Sequence, residues 1–132
     1  MPKALLKEPR PEFPLTDCSP WATVGLVVEI RKYRRADGVV PFDRWMAKLR
    51  DARAKARILV QLDRLRVGLT GDWKAVGAGV FELRIREGKG YRVYFAREGA
   101  TVVLLLCAGE KSTQSDDIER ARSYWREYRR QA

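Results

Sequence analysis

The stretch from Phe81 to Lys111 constrains the fold more than any other part of the chain. It contains three runs rich in β-branched and aromatic residues, and Gly-bearing breaks at Glu87–Gly90 and Glu98–Ala100 separate them. Runs of this kind with short breaks are typical of an antiparallel meander. The last run, TVVLLLCAG, is continuously apolar, which indicates a strand covered on both faces. We therefore expect three consecutive antiparallel strands, with the third central in the sheet.

Arginines in the first two runs fall on one predicted face of that sheet. Arg84 and Arg86 alternate with apolar residues, so they point away from the apolar face, and the same alternation in the second run adds Arg92. A guanidinium binds phosphate through planar, bidentate hydrogen bonds and stays charged at physiological pH. The cluster therefore favours phosphate recognition or stabilisation of a phosphorane. The alternative is a solvated sheet face whose charges pair with Glu82 and Glu87, and the alternation fits both interpretations.

Composition limits both the partner and the chemistry. The 132 residues are 45% hydrophobic and 33% charged, which suits one small domain, and the formal net charge is +10. A domain this basic favours a polyanion, most directly nucleic acid, with an affinity that falls as salt rises. Histidine is absent, which excludes histidine-dependent triads and most transition-metal sites. We expect no metal or other cofactor, and chemistry that rests on Arg, Lys, Tyr, Asp or Glu.

The cysteines and the hydropathy pattern indicate a cytoplasmic protein. Cys18 lies in a Pro-rich segment, and Cys107 ends an apolar run where a buried thiol is expected. The sequence has no apolar run of about 18 residues and no apolar core of a secretory signal near its amino terminus. We therefore expect reduced cysteines and no association with a membrane.

The first part of the chain divides into a tail, a strand and two helices. Residues 1–20 hold five of the six prolines and are expected to form a disordered or loosely docked tail, followed by a single domain at 21–132. Alternating apolar residues predict a strand within 21–34, and Pro41 is suited to the first turn of a helix. That helix has an apolar face formed by Phe42, Trp45, Met46 and Leu49.

A second helix follows, with Asp51 as its predicted N-cap and Gly68 as its stop. Its predicted buried stripe consists of Ile58, Leu59, Leu62 and Leu65. The opposite face is strongly basic, which fits either a solvated surface or one that holds a nucleic-acid backbone.

The remaining segments are a connection and a final helix. Residues 69–79 are rich in glycine and predict a connection between elements. A helix is expected from about Ser115, with Asp116 and Asp117 in its first turn. Its apolar side either packs on the sheet or binds a partner, and it consists of Ile118, Ala121, Trp125 and Tyr128.

Four segments resemble a known family in order and spacing, from about Val27 to Arg126: FDRWMAKLRDARAKARI, DWKAVGAGVFELRI, GYRVYF and VVLLLCAGEKSTQSDDIERA. They look like the toxins of type II toxin–antitoxin modules, more narrowly the phage-derived, HigB-like addiction module killer branch of the RelE/ParE superfamily. The resemblance implies an α+β fold of the RelE-like microbial-RNase type, with an antiparallel sheet packed against a helical pair and a C-terminal helix. It also implies an mRNA interferase, an endoribonuclease that acts at the ribosome and causes growth arrest. Its partner would be a cognate antitoxin, expected to be a helix-turn-helix protein.

The resemblance also assigns site residues by position. The catalytic set of that superfamily falls on Arg84, Arg92 and Lys111. The basic residues expected to bind RNA are Arg86, Lys89, Arg53, Arg57 and Lys74. The ribonuclease members often use a Tyr or an acidic residue near the start of the final helix, but this helix has no Tyr before Tyr124. Asp116, Glu110 or a Lys with a lowered pKa therefore remain candidates for the acid or base. Attack of an RNA 2′-OH on the adjacent phosphate would then need no metal.

Two other functions remain compatible with the sequence. One is a ParE-like inhibitor of DNA gyrase without nuclease activity. The other is an inactive nucleic-acid-binding protein that represses its operon together with an antitoxin.

Overall fold

The computed structural model describes residues 28–68 and 71–131. The strands are β1 (Glu29–Lys32), β2 (Asp72–Gly77), β3 (Val80–Ile85), β4 (Tyr91–Glu98) and β5 (Val102–Glu110). The helices are α1 (Pro41–Lys48), α2 (Ala52–Arg66) and α3 (Gln114–Gln131), and a 3-10 turn at Lys111–Thr113 joins β5 to α3. The α+β class predicted from the sequence is confirmed.

The described strands form one sheet in the order β1-β5-β4-β3-β2. Strands β3, β4 and β5 are the predicted antiparallel meander. Strand β1 pairs with β5 in parallel, from Glu29 opposite Val102 to Lys32 opposite Leu105, which the sequence analysis did not specify. This pairing places β5 inside the sheet, and its residues from Val103 to Gly109 are buried.

The expectation of a mere connection at residues 69–79 is wrong for residues 72–77. These form β2, an edge strand antiparallel to β3, in which Trp73 packs edge-on against Phe81. Gly71 precedes this strand, and Gly77 at its end begins a hairpin turn in which Gly77, Ala78 and Gly79 all have positive φ. Glycine adopts that region at no steric cost and therefore marks turns in a sequence. The glycines around this short strand led to the prediction of a connection. Residues 69–70 lie outside the described residues.

Helices cover both faces of the sheet. Helices α1 and α2 pack on a face that includes Leu83, Val93 and Phe95, and α3 packs on the opposite face against Tyr94 and Leu106. Ala121 and Trp125 of α3 are buried there, with Ile118 and Tyr128 packed beside them. The apolar side of the last helix therefore packs on the sheet, which decides between the two alternatives left open by the sequence.

The ends of α1 and α2 follow the predicted signals. Pro41 is the first residue of α1, and the carboxylate of Asp51 accepts a hydrogen bond of 3.0 Å from the backbone N–H of Ala54. Gly68 has a φ of 85° and follows the end of α2. Leu59 was expected in the buried stripe of α2, but it is 51% exposed. Successive residues of an α-helix are rotated by about 100° around its axis, so Leu59 points away from the buried line through Ile58 and Leu62.

Other expectations fall partly beyond the described residues. Of the strand predicted within 21–34, β1 supplies Glu29–Lys32, while residues 1–27, with the tail and Cys18, are not described. Cys107 is a free, buried thiol, and burial raises its pKa to about 12, with a further contribution from the nearby charge of Asp117. In the described parts of the chain, the helices are too short or too polar to cross a membrane.

Candidate functional site

Two of the predicted catalytic arginines are direct neighbours. The register places Asp72 of β2 opposite Arg84 of β3, Arg84 opposite Arg92 of β4, and Arg92 opposite Gly109 of β5. Opposite residues of an antiparallel pair point to the same face, with Cβ atoms about 5 Å apart. Arg84 and Arg92 therefore lie side by side on the face that α3 partly covers.

Lys111 follows β5 directly and lies near the same row. Its backbone N–H donates a 3.0 Å hydrogen bond to the carbonyl of Gly90, immediately before β4. Its side chain is exposed, and it has no ion pair with any residue of 28–68 or 71–131. The fold thus places the backbone of Lys111 beside Gly90, two residues before Arg92, where β4 begins and β5 ends, and leaves the Lys111 side chain exposed.

Asp72 lies close to two arginines at the C-terminal end of β3, Arg84 and Arg86. Its Oδ2 accepts a hydrogen bond of 2.9 Å from Nε of Arg86 and lies 3.9 Å from Nε of Arg84. The side chain of Arg86 is 76% exposed and that of Arg84 is 37% exposed. Arg86 is therefore accessible at one end of the sheet, whereas Arg84 is partly accessible and its Nε is buried without a hydrogen bond to the described residues. Asp72 offsets part of the charge of both.

Arg92 lies deeper than Arg84. It is 8% exposed, and its Nε lies 3.5 Å from Oε2 of Glu82 without a hydrogen bond. Within the described residues, Glu82 is the carboxylate at ion-pair distance from this guanidinium. Arg92 thus forms the floor of the site, while Arg84 and Arg86 form its open side.

Glu82 is the residue that sequence reasoning missed. It was considered only as a counter-charge on a solvated face, but it is fully buried under α3. The hydroxyl of Tyr94 and the side-chain amide of Gln114 donate to its Oε2 at 3.0 and 2.8 Å. Burial and the neighbouring Glu82 charge raise the pKa of Tyr94, so its hydroxyl stays protonated and donates. The signal in the sequence was an acidic residue on the strand face that also bears Tyr94.

The row of paired residues that runs from Asp72 through Arg84 and Arg92 ends at Gly109 of β5, and the first turn of α3 covers it there. The buried carboxylate of Asp117 lies over Gly109, where a Cβ atom would collide with its Oδ2. Thr113 and Arg120 donate hydrogen bonds to the two oxygens of Asp117. Since both oxygens are engaged, Asp117 has a structural role that fixes the start of α3.

The two candidate acid or base residues lie in different places. Asp116 is exposed in the first turn of α3, and no ion pair to it occurs in the described part of the chain. Glu110 pairs with Tyr91, whose side chain belongs to the core on the α1 and α2 face. Glu110 therefore points away from the face of Arg92, and its carboxylate caps the 3-10 turn.

Most of the predicted RNA-binding residues lie along α2 and the end of β3. A cleft of about 350 Å³ is lined by Arg57, Arg64, Asp72, Arg84 and Arg86, among others. A neighbouring cleft includes Arg53, Arg57 and Glu87.

The other two predicted RNA-binding residues lie elsewhere. Lys74 is exposed on the edge strand β2, opposite Glu82. Lys89 lies 3.6 Å from Glu110 in a separate cleft with Trp45 and Tyr91, so the structure does not bring it to Arg84.

Comparison with known proteins identifies relatives across this region. The profile of the family described as Phage derived protein Gp49-like (DUF891) matches residues 44–125, which include the whole arginine row. A protein of Haemophilus influenzae named "Uncharacterized protein" is 52% identical over 81 residues, which cover 61% of this chain and 82% of that protein. The chain therefore belongs to the family of phage-derived Gp49-like proteins.

Proposed function

We propose that this chain is the toxin of a type II toxin–antitoxin module and acts as a metal-independent endoribonuclease on mRNA. The observation that carries the proposal is the direct pairing of Arg84 with Arg92 on one face, with the accessible Lys111 nearby. Membership of a phage-derived family supports it, as does the resemblance to addiction module killer toxins. The partners in this proposal are mRNA, the ribosome and a cognate antitoxin with a helix-turn-helix, all in the cytoplasm.

The arginine pair would act on the scissile phosphate. The RNA 2′-OH attacks the adjacent phosphorus, the bond to the 5′ oxygen breaks, and the products are a 2′,3′-cyclic phosphate and a 5′-OH. Arg84 and Arg92 would donate to the non-bridging oxygens as their charge rises, an effect worth about 3 to 4 kcal/mol for a well-placed donor. Lys111 would neutralise the departing 5′ oxygen or donate a proton to it. Asp116 is the candidate to take the 2′-OH proton, because Glu110 faces the other side of the sheet.

The open cleft beside Arg84 would hold the RNA backbone. Arg57, Arg64 and Arg86 line it together with Arg84, and such a group binds phosphates with little dependence on sequence. Contacts with rRNA would let the ribosome position the mRNA. The ribosome would then bear part of the entropy cost of aligning the 2′-OH with the phosphate. If the ribosome positions the RNA, this chain needs few acid or base groups of its own at the site.

Induced expression of single variants tests the proposal. We expect Arg92→Ala and Arg84→Ala to abolish growth arrest, while Arg44→Ala remains toxic. Arg44 is the matched control because it is exposed on α1, outside the arginine row, and its loss changes the net charge equally. Mapping of RNA ends after induction should show cuts at codon-related positions, with 5′-OH ends that appear with wild type and Arg44→Ala only. An Arg92→Ala variant as toxic as wild type would remove Arg92 from the mechanism.

The same experiment separates the other two functions. Intact mRNA together with an SOS response would support a ParE-like inhibitor of DNA gyrase. RNA binding without cleavage, even on programmed ribosomes, would support an inactive co-repressor. The second outcome has an observation in its favour, since Arg92 is mostly buried beside the carboxylate of Glu82.

A further inference from the structure

A buried carboxylate lies beneath the arginine pair. Glu82 is 0% exposed, and its Oε2 accepts hydrogen bonds from Tyr94 and Gln114. Its other oxygen, Oε1, has no partner among residues 28–68 and 71–131. Burial of a carboxylate costs free energy that its partners only partly offset, and apolar replacements of buried ion pairs are often as stable or more stable. Stability alone therefore does not account for a carboxylate at this position.

Among the described residues, the cation at ion-pair distance from this carboxylate is Arg92, while Lys74 stands opposite Glu82 on β2. The Nε of Arg92 lies 3.5 Å from Oε2 of Glu82, and the side chains of Arg92 and Glu82 are 10% and 0% exposed. Because Glu82 is sealed from solvent, it is out of reach of an RNA 2′-OH and does not take the proton itself. A guanidinium is planar, so contact at the Nε edge sets the direction of the opposite edge, which carries Nη1 and Nη2.

The charges around Arg92 show why it needs such an anchor. Arg84 lies directly opposite on the next strand, and like charges in that arrangement repel. Asp72 stands on the outer side of Arg84. Glu82 lies two residues from Arg84 on β3, opposite Tyr94, and in the described residues it is the carboxylate within ion-pair distance of Arg92. The carboxylate of Asp117 lies over Gly109, on the other side of Arg92, where Thr113 and Arg120 already engage it.

We propose that Glu82 is a positioning residue, which holds the Nε edge of Arg92 and turns its Nη edge toward the substrate phosphate. The role in catalysis rests on the proposed ribonuclease function, whereas the contact between the two side chains exists without substrate. Tyr94 and Gln114 fix the carboxylate in turn. Because Gln114 is the first residue of α3, the last helix contributes to the orientation of Arg92.

The contact is tested first without RNA. Nitrogen-15 NMR of the full chain observes arginine Nε–H groups, and Arg92→Lys identifies the signal of Arg92. We expect its buried Nε–H to exchange with water at least about tenfold more slowly than that of the exposed Arg44, and its signal to shift in Glu82→Leu and Glu82→Gln. Asp72→Asn is the matched control, since that carboxylate contacts Arg84 and Arg86, and it should leave the Arg92 signal in place. An Arg92 signal unchanged in both Glu82 variants would overturn the proposal.

Kinetics and stability then separate positioning from a merely structural role. We expect Glu82→Leu to unfold at a lower temperature than wild type, because it leaves the buried Arg92 charge and the donors of Tyr94 and Gln114 without a partner, whereas Glu82→Leu combined with Arg92→Leu should be closer to wild type. At a temperature where Glu82→Leu is folded, its kcat for cleavage of ribosome-bound mRNA should fall roughly 100-fold, with KM changed less than about threefold. In an Arg92→Ala background, any residual cleavage should show no further loss from Glu82→Leu.

The outcomes distinguish this inference from the proposed function. If Arg92→Ala is inactive while Glu82→Leu keeps the wild-type kcat, the positioning role is overturned and the ribonuclease proposal stands. If the wild type cuts no RNA on programmed ribosomes, the ribonuclease proposal fails, and the NMR comparison alone decides whether Glu82 holds Arg92. Should Glu82→Leu not fold, Glu82→Gln carries the same comparison with a side chain of nearly unchanged shape.

Discussion

At the scale of single residues, the contact between Asp117 and Gly109 fixes the last helix on the sheet. The Asp117 carboxylate is buried against the backbone of β5, beside the row that contains Arg92. Thr113 and Arg120 engage both of its oxygens, so it cannot easily move aside. A glycine at 109 is therefore required by close approach, since a side chain there would occupy the place of the carboxylate.

Gly109→Ala is predicted to destabilise the protein by about 1 to 3 kcal/mol, as is typical when an extra methyl enters a packed site. The reason is the collision between the new Cβ and Oδ2 of Asp117. Urea unfolding measures the change in the free energy of unfolding. In an Asp117→Ala background the same substitution should cost less, because the colliding carboxylate is gone. Equal costs in both backgrounds would contradict the contact.

The arginine row was predictable from the sequence, and the anchor beneath it was not. Strand alternation alone places Arg84 and Arg92 on one face, because the period of two holds wherever both residues lie in strands. The same rule puts Glu82 on that face, but it does not say that α3 covers the middle of β3 while leaving its end open. The difference between an exposed Arg86 and a buried Glu82 is set by packing.

At the scale of elements, α2 shows how one cap positions a basic surface. Asp51 accepts a hydrogen bond from the N–H of Ala54 and a longer one, 3.4 Å, from the hydroxyl of Tyr91 at the start of β4. The cap therefore ties the first turn of α2 to the sheet. Arg53 and Arg57 follow within the next two turns, so their positions near Glu87 depend on this end of the helix.

Asp51→Ala should lower the free energy of unfolding by about 1 kcal/mol, the usual cost of losing an N-cap side chain. Asp63→Ala in the same helix is the matched control. Asp63 is exposed and, in the described part of the chain, its ion pair is with Arg66 three residues away, so its loss should cost less than about 0.5 kcal/mol. Both values come from urea denaturation followed by far-UV circular dichroism. A loss in Asp51→Ala no larger than that of the control would show that the cap contributes little.

Elements with strong periodicity were predicted well, and a short edge strand was not. The apolar spacing of α1 and the acidic first turn of α3 mark those helices in the sequence, and both are present. Strand β2 has six residues, of which only Trp73 and Val76 are typical of strands. It exists because the turn at 77–79 returns the chain along β3, so its stability comes from pairing rather than from its own propensity.

At the scale of the whole molecule, the positive charge is unevenly distributed over the surface. The chain carries +10, and the cleft between α2 and the end of β3 collects several arginines against one aspartate, Asp72. This asymmetry could not be assigned from the sequence, because α2 and β3 are separate in the chain and meet only through folding. The field of the domain would steer a polyanion toward the side where Arg84 is accessible.

Arg57→Ala is predicted to weaken RNA binding by a similar factor for all sequences. It should also reduce the slope of log affinity against log salt by about 0.7, the value expected for one lost contact with a single-stranded phosphate. Fluorescence anisotropy with labelled oligonucleotides over a range of KCl concentrations measures both. Arg44→Ala, which removes the same charge from α1, should leave the slope within error. A slope equal to that of wild type would place Arg57 outside the RNA path.

The parallel pairing of β1 with β5 affects when the sheet can form during translation. These two are the first and the last of the described strands in chain order, with Glu29 opposite Val102, so β1 leaves the ribosome long before its hydrogen-bonding partner. Contacts of such large sequence separation form late and slow the folding of the chain. Gln114, which holds the carboxylate beneath Arg92, is synthesised later still. The carboxylate beneath Arg92 therefore has both of its described hydrogen-bond donors only after the start of α3 has been synthesised.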